Sequence, residues 1–257
     1  MTKPSSGTSR LLGSRYSGRG THGYAVEWLA TRIFDGTFPE SEAIDLPAAT
    51  AELDVSQTVV REALKVLTAK GLVAAKQKRG TVVRPREQWN LLDADVLRWQ
   101  LGAGVTDGFY TELRALRRAI EPASAALAAE HRTDEDLAAL DAALAAMTAA
   151  GTEVMPLVKA DADFHTALLD ASHNRFFGQL HHLIIPGLIQ RDMHVHSGEF
   201  DDSVPLHAAV AEAVRARDPE AARRAVNFLL DMAARDDALA NLPEPELSQQ
   251  LRPEDRP

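Results

Sequence analysis

The sequence predicts a mainly α-helical protein in two parts: three helices closed by a β-hairpin, then an all-α bundle. Three observations lead there. Caps and breakers cut residues 21–86 into short helical stretches that end in two apolar runs around a basic turn. From Phe109 onward Ala and Leu recur at helical spacing, and aromatics make up only 5% of the chain, which suits packed helices better than sheets. Charge divides the chain near the same place. Residues 1–20 carry four bases and no acid, 21–90 nine of each, and 91–257 fifteen bases against twenty-eight acids, within a formal net charge of −9. An acidic body with a neutral-to-basic head confines any nucleic-acid contact to one end.

Absences bound the function further. There are no cysteines, which excludes disulfides, thiol catalysis and Cys-ligated zinc. No apolar run approaches the ~20 residues of a membrane span. No hydrophobic export signal follows the N-terminus, so a cytoplasmic protein is expected.

The elements follow in order. Residues 1–20, rich in Gly, Ser and Arg, read as a disordered basic tail. "YAVEWLATRIFDG" sets Val26, Leu29, Ala30 and Ile33 on one helical face, with Gly36 placed to end the helix. "IDLPAATAEL" is a short helix entered through Asp45 with Pro47 in its first turn, where a missing N–H costs nothing. Asp54-Val55 makes a tight connection. Ser56 caps a third helix running to about Lys70, and Gly71 ends it. "LVAAKQKRGTVVRP" reads as strand, turn, strand. Residues 21–86 therefore form a winged helix-turn-helix. Residues 87–107 form a junction in which Asn90 or Asp93 caps a helix, with Leu92, Val96 and Trp99 on one face. Residues 108–241 are a bundle of six or seven helices. In its first helix Leu113, Leu116, Ile120, Ala123 and Leu127 form the expected buried stripe, and Pro122 is a candidate kink. Residues 242–257, polar and Pro-rich, are expected to fray.

Three constellations carry chemistry. Between Ser56 and Arg79 six bases face the single acid Glu62. The third helix offers Ser56, Thr58, Arg61 and Lys65 to a major groove, and the wing offers Lys76, Lys78 and Arg79 to phosphates. The alternative is a solvated basic face. Second, Asp161 and His165 in "DADFH" are four apart and share a helical face, and His207 lies on a later helix among apolar neighbours. Together they can ligate zinc, nickel or manganese. The alternative is two surface polar residues and a separate buried histidine. Third, Arg117 borders the apolar stripe, where its fork can take a carboxylate ligand or pair with Glu121 four residues on. The other histidines are His22, His131, His173, His181, His182, His194 and His196; the "MHVHSG" pair reads as a polar loop able to chelate metal. No phosphate-binding Gly-rich loop and no nucleophile elbow is present. A metal-dependent enzyme built on Asp161, His165 and His207 would need a general base that the sequence does not identify, and an architectural DNA-binding protein would need no effector.

"LDVSQTVVREALKVLTAKGLVAAKQKRGTVVRP" resembles the winged-helix domain of the GntR family of bacterial transcription regulators. "ALRRAIEPASAALAA", "DADFHTALLDASHN" and "PLHAAVAEAVRARDPEAA" resemble the helical, FCD-type effector domain of its FadR subfamily. "RPREQWNLLDADVLRWQL" is similar, more narrowly, to members that repress galactonate and related sugar-acid catabolism. The resemblance spans about residues 22–240. It implies a homodimer on palindromic operator DNA, released when a small carboxylate or sugar acid occupies the helical domain; lactate, gluconate and fatty-acid types are the alternatives. It places Ser56, Thr58 and Arg61 at DNA-contacting positions, Gly80 at the wing tip and Arg117 in the effector pocket. Gln57 stands where the family commonly has Arg, which shifts the expected base preference from guanine toward adenine. "LPAATAEL" stands where the family has a polar, often Arg-containing segment. Asp161, His165 and His207 match three of four metal ligands. The fourth position is Leu229, so water or effector would have to complete the shell.

Overall fold

The computed structural model describes residue 16 and residues 20–104, 108–195 and 203–240, with side chains except those of 194–195 and 236–240. The two terminal tails thus lie outside the described residues, apart from Tyr16 and Gly20. The chain divides into two compact units, Met1–Thr106 and Asp107–Pro257.

The first unit contains α1 (Gly20–Phe34), α2 (Leu46–Leu53), α3 (Gln57–Ala69), the strands β1 (Val73–Lys76) and β2 (Gly80–Val83), and α4 (Ala94–Ala103). Local signals set these bounds. The Asp45 carboxylate accepts the Ala48 N–H at 3.0 Å to cap α2, and Ser56 does the same for α3 from Val59. Gly71 takes φ +78°, which ends α3 and turns the chain into β1. α1 buries Val26, Leu29, Ala30 and Ile33 against Val60, Ala63, Leu64 and Leu67 of α3. Each fully buried Leu or Ile is worth about 1.5–3 kcal/mol. The antiparallel pair β1–β2 registers Val73 with Val83 and Lys76 with Gly80. Residues 41–44 lie along β2 in the manner of a third strand, through an isolated β-bridge between Ala43 and Val82: Ile44 donates to the Thr81 carbonyl and Val83 to that of Glu42. This pairing fixes the root of the hairpin, and the sequence pattern did not show it.

α4 packs into the same core. Asp93 caps it, accepting from Asp95 and Val96, and Trp99 Nε1 donates to Glu27 of α1 at 2.8 Å. Val96 and Trp99 are buried as expected, but Leu92 is 76% exposed. The helix begins only at Ala94, so Leu92 lies before its register starts.

The second unit comprises α5 (Phe109–His131), α6 (Asp134–Ala150), α7 (Val154–Ala171), α8 (Arg175–Gln179), α9 (His181–Val195), α10 (Val204–Arg215) and α11 (Pro219–Ala240). Thr133 and Asp136 form a capping box at the start of α6. α5 continues through Pro122. The stretch 174–191 divides at Leu180 into α8 and α9. His194 belongs to α9 rather than to a loop, and residues 196–202 lie outside the described residues. The core of this unit gathers Ala125 and Ala128 of α5, Phe164 and Leu168 of α7, Val210 and Val214 of α10, and Val226 and Leu229 of α11.

One expectation is corrected. The stripe Leu116, Ile120, Ala123 and Leu127 is only half-buried. The inward face of α5 instead carries Leu113, Arg117, Glu121, Ser124, Ala125 and Ala128. The helix is rotated so that its polar residues point inside.

Candidate functional site

The α3 face opposite the core carries Gln57, Thr58, Arg61 and Lys65, all exposed, with the cap Ser56 at its end. The spacing 57, 61, 65 follows from the burial of Val60, Leu64 and Leu67 on the other side. Lys65 pairs with Glu62 at 2.7 Å in solvent. In the hairpin Lys76, Lys78, Arg79 and Gly80 are exposed. Lys78 and Gly80 have φ of +62° and +81°, so the turn depends on a glycine there. Arg79 donates to the Ser41 carbonyl at 3.0 Å, tying the wing tip to the 41–44 segment. Lys70 is different. Its ammonium lies 2.8 Å from both Asp93 and Asp95, so this base anchors α4 to the end of α3, and five of the six bases remain for an anionic partner.

In the second unit the i,i+4 pairs of two helices meet. α5 supplies Arg117 and Glu121, α7 supplies Asp161 and His165, and α10 supplies His207. Arg117, Glu121, His165 and His207 are all at most 5% exposed. Arg117 Nε donates to Glu121 Oε1 at 2.6 Å, and its Nη2 reaches Glu121 Oε2 at 3.3 Å and His165 Nε2 at 3.1 Å. His207 Nε2 lies 3.0 Å from Asp161 Oδ1, and His165 Nε2 lies 3.8 Å from Asp161 Oδ2. One donor atom from each of the three residues falls within 4.8 Å of the others.

The charges depend on one another. Burial raises the Glu121 carboxyl, but Arg117 and then His165 outweigh it and hold the group down at about 2. Burial also raises Asp161, yet His165, His207 and Arg117 pull it below the usual carboxylate range. Burial lowers His207, and the facing Asp161 carboxylate more than reverses this. Beside them on α9, Asp192 accepts from Arg191 at 2.8 Å. Burial and then the Asp161 charge push it up to about 7, against Arg191 and Arg117.

The donor set fits a divalent metal. Tetrahedral bonds of about 2.0–2.2 Å put neighbouring ligand atoms about 3.3–3.6 Å apart, between the two separations to Asp161 of 3.0 and 3.8 Å. Asp161 Oδ2, His165 Nδ1 and His207 Nε2 are buried without a hydrogen bond. His207 Nδ1 faces the Ser203 carbonyl at 2.9 Å. Donating that proton fixes the ring with Nε2 toward Asp161, so Nε2 is the nitrogen a metal would take once it displaced the proton that Asp161 favours there. A cavity adjoins the group, lined by Tyr110, Leu113, Arg114, Arg117, Arg191 and Leu230.

Two family models match the chain, one in each unit. The family described as "Bacterial regulatory proteins, gntR family" matches residues 24–83, and the FCD domain matches residues 112–231. The Galactonate operon transcriptional repressor of Escherichia coli K12 is 32% identical over 211 residues, covering 80% of this chain and 92% of that protein. The chain belongs to the GntR family of bacterial regulators. The HTH-type transcriptional repressor NanR of Salmonella arizonae is 30% identical over 194 residues, 70% of each chain. A solved structure of Lar, which controls expression of the Listeria monocytogenes agr system, shares the fold at 19% identity and TM-score 0.52, covering 87% of this chain and 99% of that one.

This GntR regulator is a ligand-responsive DNA-binding protein and not an enzyme. No helix among the described residues is long and apolar enough to cross a membrane. The family match to 24–83 contains the exposed face of α3 and the wing, and the match to 112–231 contains Arg117, Glu121, Asp161, His165, Asp192 and His207. Leu229, where the resemblance leads one to expect a fourth ligand, is 5% exposed and sits in the apolar core with Phe164 and Val226. Sequence reasoning reached Asp161, His165, His207 and Arg117, but it gave Glu121 only a salt bridge and passed over Arg191 and Asp192. The signal for the last two was an Arg-Asp pair inside the otherwise apolar "LIIPGLIQRDM".

Proposed function

We propose that this regulator is a cytoplasmic homodimer that represses genes for the catabolism of a small carboxylate, of the sugar-acid class named for its galactonate relative. The observation that carries the reading is the buried Arg117 guanidinium lining a cavity next to Asp161, His165 and His207. The edge of the guanidinium that Glu121 does not hold can donate to a carboxylate in that cavity. Asp161, His165 and His207 would hold zinc, nickel or manganese. The metal supplies a Lewis-acidic cation to an anionic ligand.

The other side chains support that arrangement. Glu121 keeps Arg117 in place from behind, and Ser203 fixes the His207 ring. In the first unit Gln57, Thr58 and Arg61, behind the Ser56 cap, read base edges; Lys65, Lys76, Lys78 and Arg79 hold phosphate, with Gly80 shaping the tip. Effector acts only through a difference in its affinity for the DNA-competent and released states.

The test is a gel shift on DNA upstream of the gene, titrated with galactonate, gluconate, lactate and a short fatty acid. Retention of the fragment, and its release by one acid class, is the expected result. Failure to bind any promoter-proximal fragment sinks the DNA reading, and binding indifferent to every acid sinks the effector reading.

A further inference from the structure

Arg117 and a metal make competing demands on His165. Arginine has donors only, so the 3.1 Å contact makes His165 Nε2 the acceptor. The ring proton is then on Nδ1, which faces Glu121 Oε2 at 3.0 Å. Nε2 is also the nitrogen turned toward Asp161. A metal ligand has to offer that same lone pair, and one lone pair serves one partner. Arg117 Nη2 therefore stands where the cation would draw on His165.

We propose that metal loading displaces the Arg117 guanidinium from His165 and turns the freed N–H into the adjoining cavity, so that metal and anionic effector bind cooperatively through this side chain. The inference rests on the metal and effector sites proposed above. The geometry allows the motion. Nε is anchored on Glu121 at 2.6 Å, whereas Nη2 holds Glu121 only at 3.3 Å, so the group can pivot about its stronger bond. Arg117 already lines the cavity, so the released donor needs no new path. A divalent cation also repels the guanidinium, in the same direction. Linkage makes the effect reciprocal: an anion that holds Nη2 in the cavity frees His165 and tightens the metal.

An effector that simply ligates the metal would also make its binding metal-dependent, so the test has to isolate the competition. Zinc affinity is measured on the full chain by competition with a chromophoric chelator, for the native protein, R117Q and R191Q. Both variants strip a guanidinium from a buried carboxylate, Glu121 or Asp192, but only Arg117 also acts on Asp161; R117K, which keeps that charge without the planar fork that reaches His165, must therefore tighten zinc as R117Q does for the latch to stand. R117Q should bind zinc about tenfold more tightly, the worth of one charge-assisted hydrogen bond no longer competing. R191Q should stay within about threefold of native. Equal tightening in both variants, or none in R117Q, overturns the latch and leaves the metal site standing. Failure of the native protein to bind zinc overturns the metal site and the latch together. A second variant guards against misfolding of R117Q. In chelator, H165A should bind galactonate about fivefold or more tightly than native protein in chelator, within the usual span of coupling; no tightening overturns the latch. Galactonate failing to bind native protein with or without zinc overturns the effector reading, and the zinc comparison then decides the latch alone.

Discussion

Replacing Glu121 by Gln should cost the effector domain about 3 kcal/mol, and two routes give that size. The Glu121 carboxyl is held at about 2 against an ordinary 4.5, and each pKa unit corresponds to about 1.4 kcal/mol. Independently, removing one partner of a buried pair costs about 3–5 kcal/mol, because the other charge is left without compensation. Arg117 and Glu121 side chains are 6% and 1% exposed, so little solvent screening reduces the figure. The pH dependence has a definite sign. A depressed carboxyl stabilises above its ordinary value near 4.5 and loses that contribution as pH falls through about 2. The gap between native protein and E121Q should therefore be full at pH 7 and close progressively below about 4.5. Scanning calorimetry on the full chain, in chelator at pH 7, should show the transition of the second unit lowered by about 6–12 °C. R117M/E121L, which replaces the pair by apolar groups, should lose less than E121Q alone. A loss below about 1 kcal/mol in E121Q, or an R117M/E121L variant that loses as much as E121Q, would refute the view that Glu121 compensates Arg117.

Four further outcomes test the rest. Gln57→Ala should relax operator preference more than non-specific affinity, measured by competition between operator and random duplex; an equal loss on both would contradict a base-reading role. K76A and K78A should weaken binding to all duplexes and each lower the slope of log affinity against log salt by about one; an unchanged slope places them off the phosphates. Zinc should raise the melting temperature of native protein and leave that of H207A unmoved, since a ligand that binds only the folded state stabilises it; a shift kept in H207A removes His207 from the site. Burial raises Glu27, but Arg98, the Tyr16 N–H and Trp99 hold it below 4.5. E27Q should thus lose stability most at neutral pH and converge with native protein below about 4.5, read from urea midpoints; a gap constant with pH refutes the assignment.

The two sites were legible to different degrees, and the reason lies in how far apart their causes sit along the chain. The DNA face is specified locally. Ser56 caps its own helix, Gly71 ends it, Gly80 shapes its own turn, and the exposed bases follow once Val60, Leu64 and Leu67 are seen to be apolar. Pairing outside that window, as with the bridged segment at 41–44, escaped the pattern. The effector interior has no local rule. Arg117 meets His165 across 48 residues, and periodicity along α5 points the wrong way. An apolar-stripe argument assumes that the inside is apolar, so it counted Arg117 and Glu121 against burial and turned the helix outward on Leu116, Ile120 and Leu127. The structure turns it the other way because each buried charge finds its opposite: Arg117 on Glu121, Asp161 against His207, Asp192 on Arg191. A helix that buries its charged face and leaves its leucines half-exposed gives up transfer free energy and recovers part of it through those pairs. Apolar side chains of the same volume would pack this bundle at least as well. The ionic interior of α5, α7, α9 and α10 is what the charged ligand of the proposed function would require, and it lies where the stripe rule fails.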